Sequence, residues 1–103
     1  MDAIKEVTLE LIKFRNDRDW NQFHNPKDLA LAINVEAGEL LELFLWKKAD
    51  DANVEKVKEE LADIFAFSFL LAAISQTSFA QLLPIWGQSK IEVQSQLFGN
   101  PMV

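Results

Sequence analysis

The apolar positions of this chain recur at helical spacing over most of its length. Between residues 2 and about 19, Ile4, Val7, Leu11 and Phe14 lie a helical turn apart, which predicts a first helix ending near "NDRDW". A second begins where Asn25, a favoured N-cap, precedes Pro26, a favoured first-turn residue. Its pattern extends to Lys47 and Lys48, cations suited to the negative end of a helix. "ADDAN" reads as a polar connection, and from about Val54 the periodicity resumes in "VEKVKEELADIFAFSFLLAAI". The second half of that helix is apolar on every side and so must be covered on every side. In a chain of 103 residues this points to a partner subunit as well as to the other helices. The fold expected is all-α, a small helical bundle that oligomerises through its helices.

The pattern changes near Ser75. From residue 75 to 103 only Lys90 and Glu92 are charged, yet five of the six glutamines fall there. Pro84 and Gly87 break any single long helix, and "FGNPMV" reads as a frayed end. There is no repeat or low-complexity tract. Residues 1–103 therefore read as a single helical domain with an atypical C-terminal segment from about residue 75.

Composition narrows the function. Eight Phe and three Trp in a chain that is 50% hydrophobic suffice for a core. A net charge of −6 argues against a nucleic-acid partner or an anionic membrane surface, and a polyanionic ligand would need metal ions to mediate it. The absence of cysteine excludes a disulfide framework, a thiolate zinc site and a cysteine nucleophile, and it fits a cytoplasmic location. "MDAIKEVTLE" has neither the basic nor the apolar region of a signal peptide. "LADIFAFSFLLAAI", interrupted by Asp63 and Ser68, is too short to span a bilayer.

The chemistry lies in two pairs of acids. In "VEAGELLELFLW", Glu36 and Glu39 sit about 60° apart on a helix, within the arc of Leu29, Leu40 and Leu43. In "EELADIF", Glu60 and Asp63 repeat the spacing beside Ile64, Phe67 and Leu71. Two antiparallel helices bring all four to one level, where unpaired carboxylates are costly unless a cation, a proton or a metal relieves them. A cluster of carboxylate oxygens suits Mg²⁺, with Mn²⁺ as an alternative. The same spacing also occurs on solvated or salt-bridged helix faces; the apolar surroundings of both pairs favour metal. Glu42, Glu55 and Glu59 fall off these arcs and read as surface acids. The one histidine, His24, follows no Glu-x-x spacing of the kind a di-iron bundle uses, and there is no Gly-rich phosphate loop.

These motifs, together with "RDWNQFH", resemble the signature of the MazG-like all-α nucleotide pyrophosphohydrolases, in particular the dCTP pyrophosphatase-like branch. The resemblance covers roughly residues 4 to 73. It implies a helical bundle that forms a dimer or a dimer of dimers, with Glu36, Glu39, Glu60 and Asp63 as Mg²⁺ ligands and Trp20 and Trp46 near a nucleotide base. It also implies hydrolysis of a nucleoside triphosphate between the α and β phosphates, giving a nucleoside monophosphate and pyrophosphate. Such an activity cleans nucleotide pools. The tail departs from the family, which continues with Lys-x-x-x-Asn; here Lys90 and Gln94 have that spacing, and Lys90 is the candidate phosphate contact.

Within that resemblance Glu39 is the first choice to accept the proton of the attacking water. Trp20, Trp46 and His24 are candidates for a base pocket with Phe67 as its floor; the tryptophans and Phe67 serve equally well as packing residues, and a lone His after Phe is more often a capped or surface histidine. Arg15, Arg18, Lys47 and Lys48 are nearby cations. Two rival readings remain: a non-catalytic helical oligomer, which the altered tail favours, and a nucleotide-binding sensor that keeps the metal without turnover.

Overall fold

A computed structural model describes residues 2–77, 81–82, 84–86 and 96–99. Among the described residues the secondary structure is helical, without strands. Helix α1 spans Ala3–Asp17 and is started by Asp2, whose carboxylate accepts the Lys5 amide at 2.8 Å. Asp19 then adopts a left-handed conformation (φ 58°) and turns the chain into a short 3₁₀ segment, Trp20–Phe23. Helix α2 spans Pro26–Glu42; the Asn25 side chain accepts the Asp28 amide at 2.9 Å and donates to the Asp28 carboxylate at 2.7 Å. Helix α3 spans Val54–Ile74, its first amides held by Asn53, which accepts from Glu55 and Lys56. Each helix thus begins where a side chain satisfies amides that have no partner within the helix.

The ends of α2 and α3 have local causes. The sequence predicts that α2 continues to Lys47 and Lys48, but it stops at Glu42. Beyond it the amides of Leu43, Phe44 and Leu45 reach back three residues instead of four, and Trp46 closes the turn at φ 63°. Left-handed backbone ends a helix whatever residue carries it, and a bulky side chain there is strained. The two lysines therefore lie past the helix. At the end of α3, Gln76 is left-handed (φ 56°), with its own amide bonded to Ala73 and the Thr77 amide to Ala72. This is the paired bonding of a Schellman stop, and it coincides with the compositional change at Ser75. The helix ends well ahead of Pro84; Gly87, Lys90 and Gln94 lie outside the described residues.

Packing is centred on the α2–α3 pair, with α1 laid against α3 and the 3₁₀ segment. Among the described residues only Leu29 and Leu70 are buried, at 1% and 5% exposure. Phe65 on α3 is 54% exposed. Between α1 and α3 runs an apolar groove of about 1200 Å³, lined by Ile4, Leu9, Ile12, Phe65 and Phe69 among others. One copy of the chain thus leaves much of its apolar surface open, as the all-round apolar α3 leads one to expect. No helix of the described residues is long and apolar enough to cross a membrane.

Two substitutions test the hairpin. Leu29→Ala should lower stability by about 2–5 kcal/mol through the cavity it opens. Asn53→Ala should cost about 1 kcal/mol through the lost cap. Both are read from urea denaturation at fixed protein concentration.

Candidate metal and active site

Glu36 is six residues before the end of α2 and Glu60 six residues after the start of α3. Equal distances from the connection put them at one level of the helical hairpin. Carboxylate oxygens of Glu36, Glu60 and Asp63 all lie within 4.8 Å of one another. Glu36 and Glu60 are half-buried and Asp63 is exposed. Glu39, the fourth acid of the two pairs, falls outside that tight group; it is exposed and lies close enough to Glu36 to influence its protonation.

The electrostatics of the cluster are those of acids without a counter-charge. The Oε2 atoms of Glu36 and Glu60 are both shielded from water and without a hydrogen-bond partner. The ion pairs among the described residues, Lys13–Asp17 and Lys58–Glu55, lie elsewhere. Proximity of the Glu60 carboxyl, followed by burial and by the hydrogen-bonding and charge of Glu39 and the charge of Asp63, pushes the Glu36 pKa up to about 7. A proton shared between carboxyls is one way to relieve the repulsion, and a cation is the other. The donor set contains only carboxylate oxygens, two of them buried and unpartnered. It fits a hard divalent cation such as Mg²⁺ or Mn²⁺, to which Glu36, Glu60 and Asp63 each offer an oxygen.

The predicted base-pocket residues divide into two groups. His24, just before α2, meets Phe67 of α3 edge-on, with ring centroids 6.5 Å apart and planes at 85°. Phe67 lies one turn beyond Asp63, so this pair adjoins the acids along α3. The Nδ1 atom of His24 is buried and unpartnered, and burial, with Arg15 as a second cause, lowers the imidazole pKa. Trp20 instead packs edge-on against Phe14 at 5.7 Å, while the Arg18 guanidinium lies 3.4 Å from the Phe14 ring centre. Trp46 is fully exposed and contributes no contact to the cluster within one copy. Lys90 falls among the residues that are not described. Sequence reading missed the Phe14–Arg18 stack, although its four-residue spacing signals a shared helix face.

Three comparisons with known proteins bear on this site. Residues 31–84 match the model of the MazG-like family. Human dCTP pyrophosphatase 1 (Homo sapiens) is 34% identical over 90% of this chain and 60% of its own length. The bovine protein of the same name (Bos taurus) is 38% identical over 74% of this chain and 53% of its own. The chain thus spans a little over half the length of these curated relatives. A crystal structure of a pyrophosphatase from Archaeoglobus fulgidus superposes with a TM-score of 0.68 and 29% identity, covering 95% of this chain and 94% of the other. The family match takes in both acid pairs, the whole of α3 and just over half of the 103 residues. The chain belongs to the MazG-like family.

Proposed function

We propose that this chain is a Mg²⁺-dependent nucleoside triphosphate pyrophosphohydrolase that releases a nucleoside monophosphate and pyrophosphate and favours dCTP. The observation that carries this reading is the cluster of Glu36, Glu60 and Asp63, with a buried, unpartnered oxygen on each glutamate, in a MazG-like chain. A purely structural pair of helices would gain from apolar residues at Glu36 and Glu60. The names of the curated relatives and of the superposed pyrophosphatase support the same class of reaction. The dCTP preference rests on the former alone. We take residues 1–103 as one domain of this type, with an atypical segment from about residue 75.

In this reading Glu36, Glu60 and Asp63 hold the ion, with Glu39 completing the set. A bound divalent ion supplies positive charge to the triphosphate and acidifies the attacking water. Glu39, the exposed member of the Glu36–Glu39 pair, accepts the water's proton as the water oxygen bonds to the α phosphorus and the bond from that phosphorus to the α–β bridging oxygen breaks. Pyrophosphate leaves with that oxygen. His24 and Phe67 receive the base, the shielded Nδ1 of His24 having no partner among the described residues. Trp20 and Trp46 add stacking surface and Lys90 a phosphate contact. The open core supports a homodimer or tetramer, and sedimentation at micromolar concentration should give a mass above the 11.8 kDa of one chain.

Pyrophosphate release from a panel of nucleoside triphosphates, with Mg²⁺ or Mn²⁺, tests the activity. dCTP should be the preferred substrate, and Glu39→Gln should lower the rate by about 10²–10⁴. Absence of pyrophosphate with every nucleotide, alongside tight nucleotide binding, would identify a sensor instead.

The pH dependence of the metal-free protein is a second test. Folded Glu36 keeps its proton to about pH 7, against a reference value of 4.5, so between these values the folded state binds more protons than the unfolded. The stability owed to this group is complete below about pH 4.5 and is lost as the pH rises through 7. Mg²⁺ at ten times its dissociation constant should restore about 1.4 kcal/mol at neutral pH. Thermal melts of the parent and of Glu60→Gln, with and without Mg²⁺, measure both effects; the variant should show a smaller pH slope and a smaller metal shift.

A further inference from the structure

The sheltered face of α1 ends in a cation. Ile4, Thr8, Leu11, Ile12 and Arg15 are its half-buried side chains, and they recur at the three- and four-residue spacing of one helical stripe. Ile4, Thr8 and Ile12 line the groove against α3. Arg15 carries the stripe on by one turn, to the end of the helix onto which the 3₁₀ segment Trp20–Phe23 packs back. His24 follows that segment and meets Phe67 of α3. The end of α1, His24 and α3 thus come together at one corner of the molecule, and Arg15 is the charge that α1 brings to it.

Arginine is seldom sheltered without a partner. Among the described residues Arg15 has no carboxylate, the ion pairs there being Lys13–Asp17 and Lys58–Glu55. The hydrogen bond it makes is long, from Nε to the Oδ1 of its neighbour Asn16 at 3.4 Å. Arg18, three residues on, is occupied by contrast: its guanidinium lies 3.4 Å from the Phe14 ring centre and donates to the Phe14 carbonyl at 3.1 Å. The paired Nη donors of Arg15 are left for a ligand.

Position decides which part of a ligand they meet. Arg15 acts on His24, whose pKa it helps to lower, whereas the charges acting on Glu36 are those of Glu39 and Asp63. The guanidinium therefore belongs to the His24 end of the site, where the base is received, and not to the acids, where an ion would gather the phosphates. A guanidinium presents parallel N–H donors in one plane and matches a partner with two adjacent acceptors. Cytosine offers such a pair on one edge, O2 and N3. Uracil and thymine carry a hydrogen on N3, so there a donor would face a donor.

We propose that Arg15 is a specificity-determining residue, its guanidinium fork donating to O2 and N3 of a cytosine held by His24 and Phe67. The proposal rests on the nucleotide-hydrolysis reading above and adds to it the group that separates cytosine from uracil.

The test compares kcat/KM for dCTP and dUTP in the parent, Arg15→Ala and Arg15→Lys, with calorimetric binding of dCMP and dUMP in the presence of Mg²⁺ on the same proteins. A bidentate contact to a base discriminates by roughly 10–100-fold. Arg15→Ala should lower kcat/KM for dCTP by that factor, chiefly through KM, and lower that for dUTP by much less, so that the preference for cytosine collapses. Arg15→Lys keeps the charge and the stem but not the fork, and its dCTP to dUTP ratio should lie nearer that of Arg15→Ala than that of the parent. Should Arg15→Ala fail to fold, as judged by circular dichroism, Arg15→Lys carries the test. Equal losses on both nucleotides would overturn the proposal, because Arg15 would then serve the phosphates or the fold; a parent without preference between them would overturn it as well. If the parent hydrolyses no nucleotide, the pyrophosphohydrolase reading fails and binding alone decides: dCMP held more tightly than dUMP by the parent, and not by Arg15→Lys, supports the base contact, and any other result overturns it.

Discussion

Carboxylates held within 4.8 Å of one another between two helices repel unless a proton or a cation comes between them. Everything positioned around Glu36, Glu60 and Asp63 bears on that conflict. Asn25 and Asn53 fix where α2 and α3 begin, which sets the level at which the acids meet. Leu29 on α2 and Leu70 on α3, farther from the connection, are the buried apolar side chains of the hairpin among the described residues. The unrelieved charge appears as a Glu36 carboxyl that keeps its proton to about pH 7 and as two buried oxygens with nothing to bond. The fold in effect holds ready a site for a hard cation.

The hairpin also faces two ways. Its inner side carries the acids and, one turn on, the His24–Phe67 contact; elsewhere on α2 the apolar Leu31, Val35 and Leu41 are exposed. A chain of this size with two buried side chains among those described has little to spend on tolerating like charges. A second copy covering the open apolar surface would supply stability that the acid cluster withholds.

Much of this was legible from spacing alone. Asn25 followed by Pro26 marked the start of α2, because a cap and a donor-free first turn are local chemistry. The arcs of Glu36 and of Glu60 with Asp63 placed these acids on facing sides, because helical geometry converts residue number into direction. The end of α2 was not legible: Lys47 and Lys48 suit a helix terminus, but the left-handed turn at Trp46 depends on backbone bonding that no residue type there announces. Nor did spacing separate Glu39 from the other three acids. It lies on the α2 arc, yet its exposure and its distance from the tight group depend on how the two helices roll against each other. Trp20 and Trp46 read alike in sequence, and only tertiary packing distinguishes the one set against Phe14 from the one fully exposed.

The central claim, that the crowded acids between α2 and α3 are a divalent-cation site, is most directly tested by titrating Mn²⁺ into isotope-labelled protein and following paramagnetic broadening of its amide signals. At sub-stoichiometric Mn²⁺, broadening should centre on Glu36, Glu60 and Asp63 and their helical neighbours, and added Mg²⁺ should reverse it. Broadening centred instead on exposed acids such as Asp50 and Asp51, or spread evenly over the acidic surface, would contradict the account.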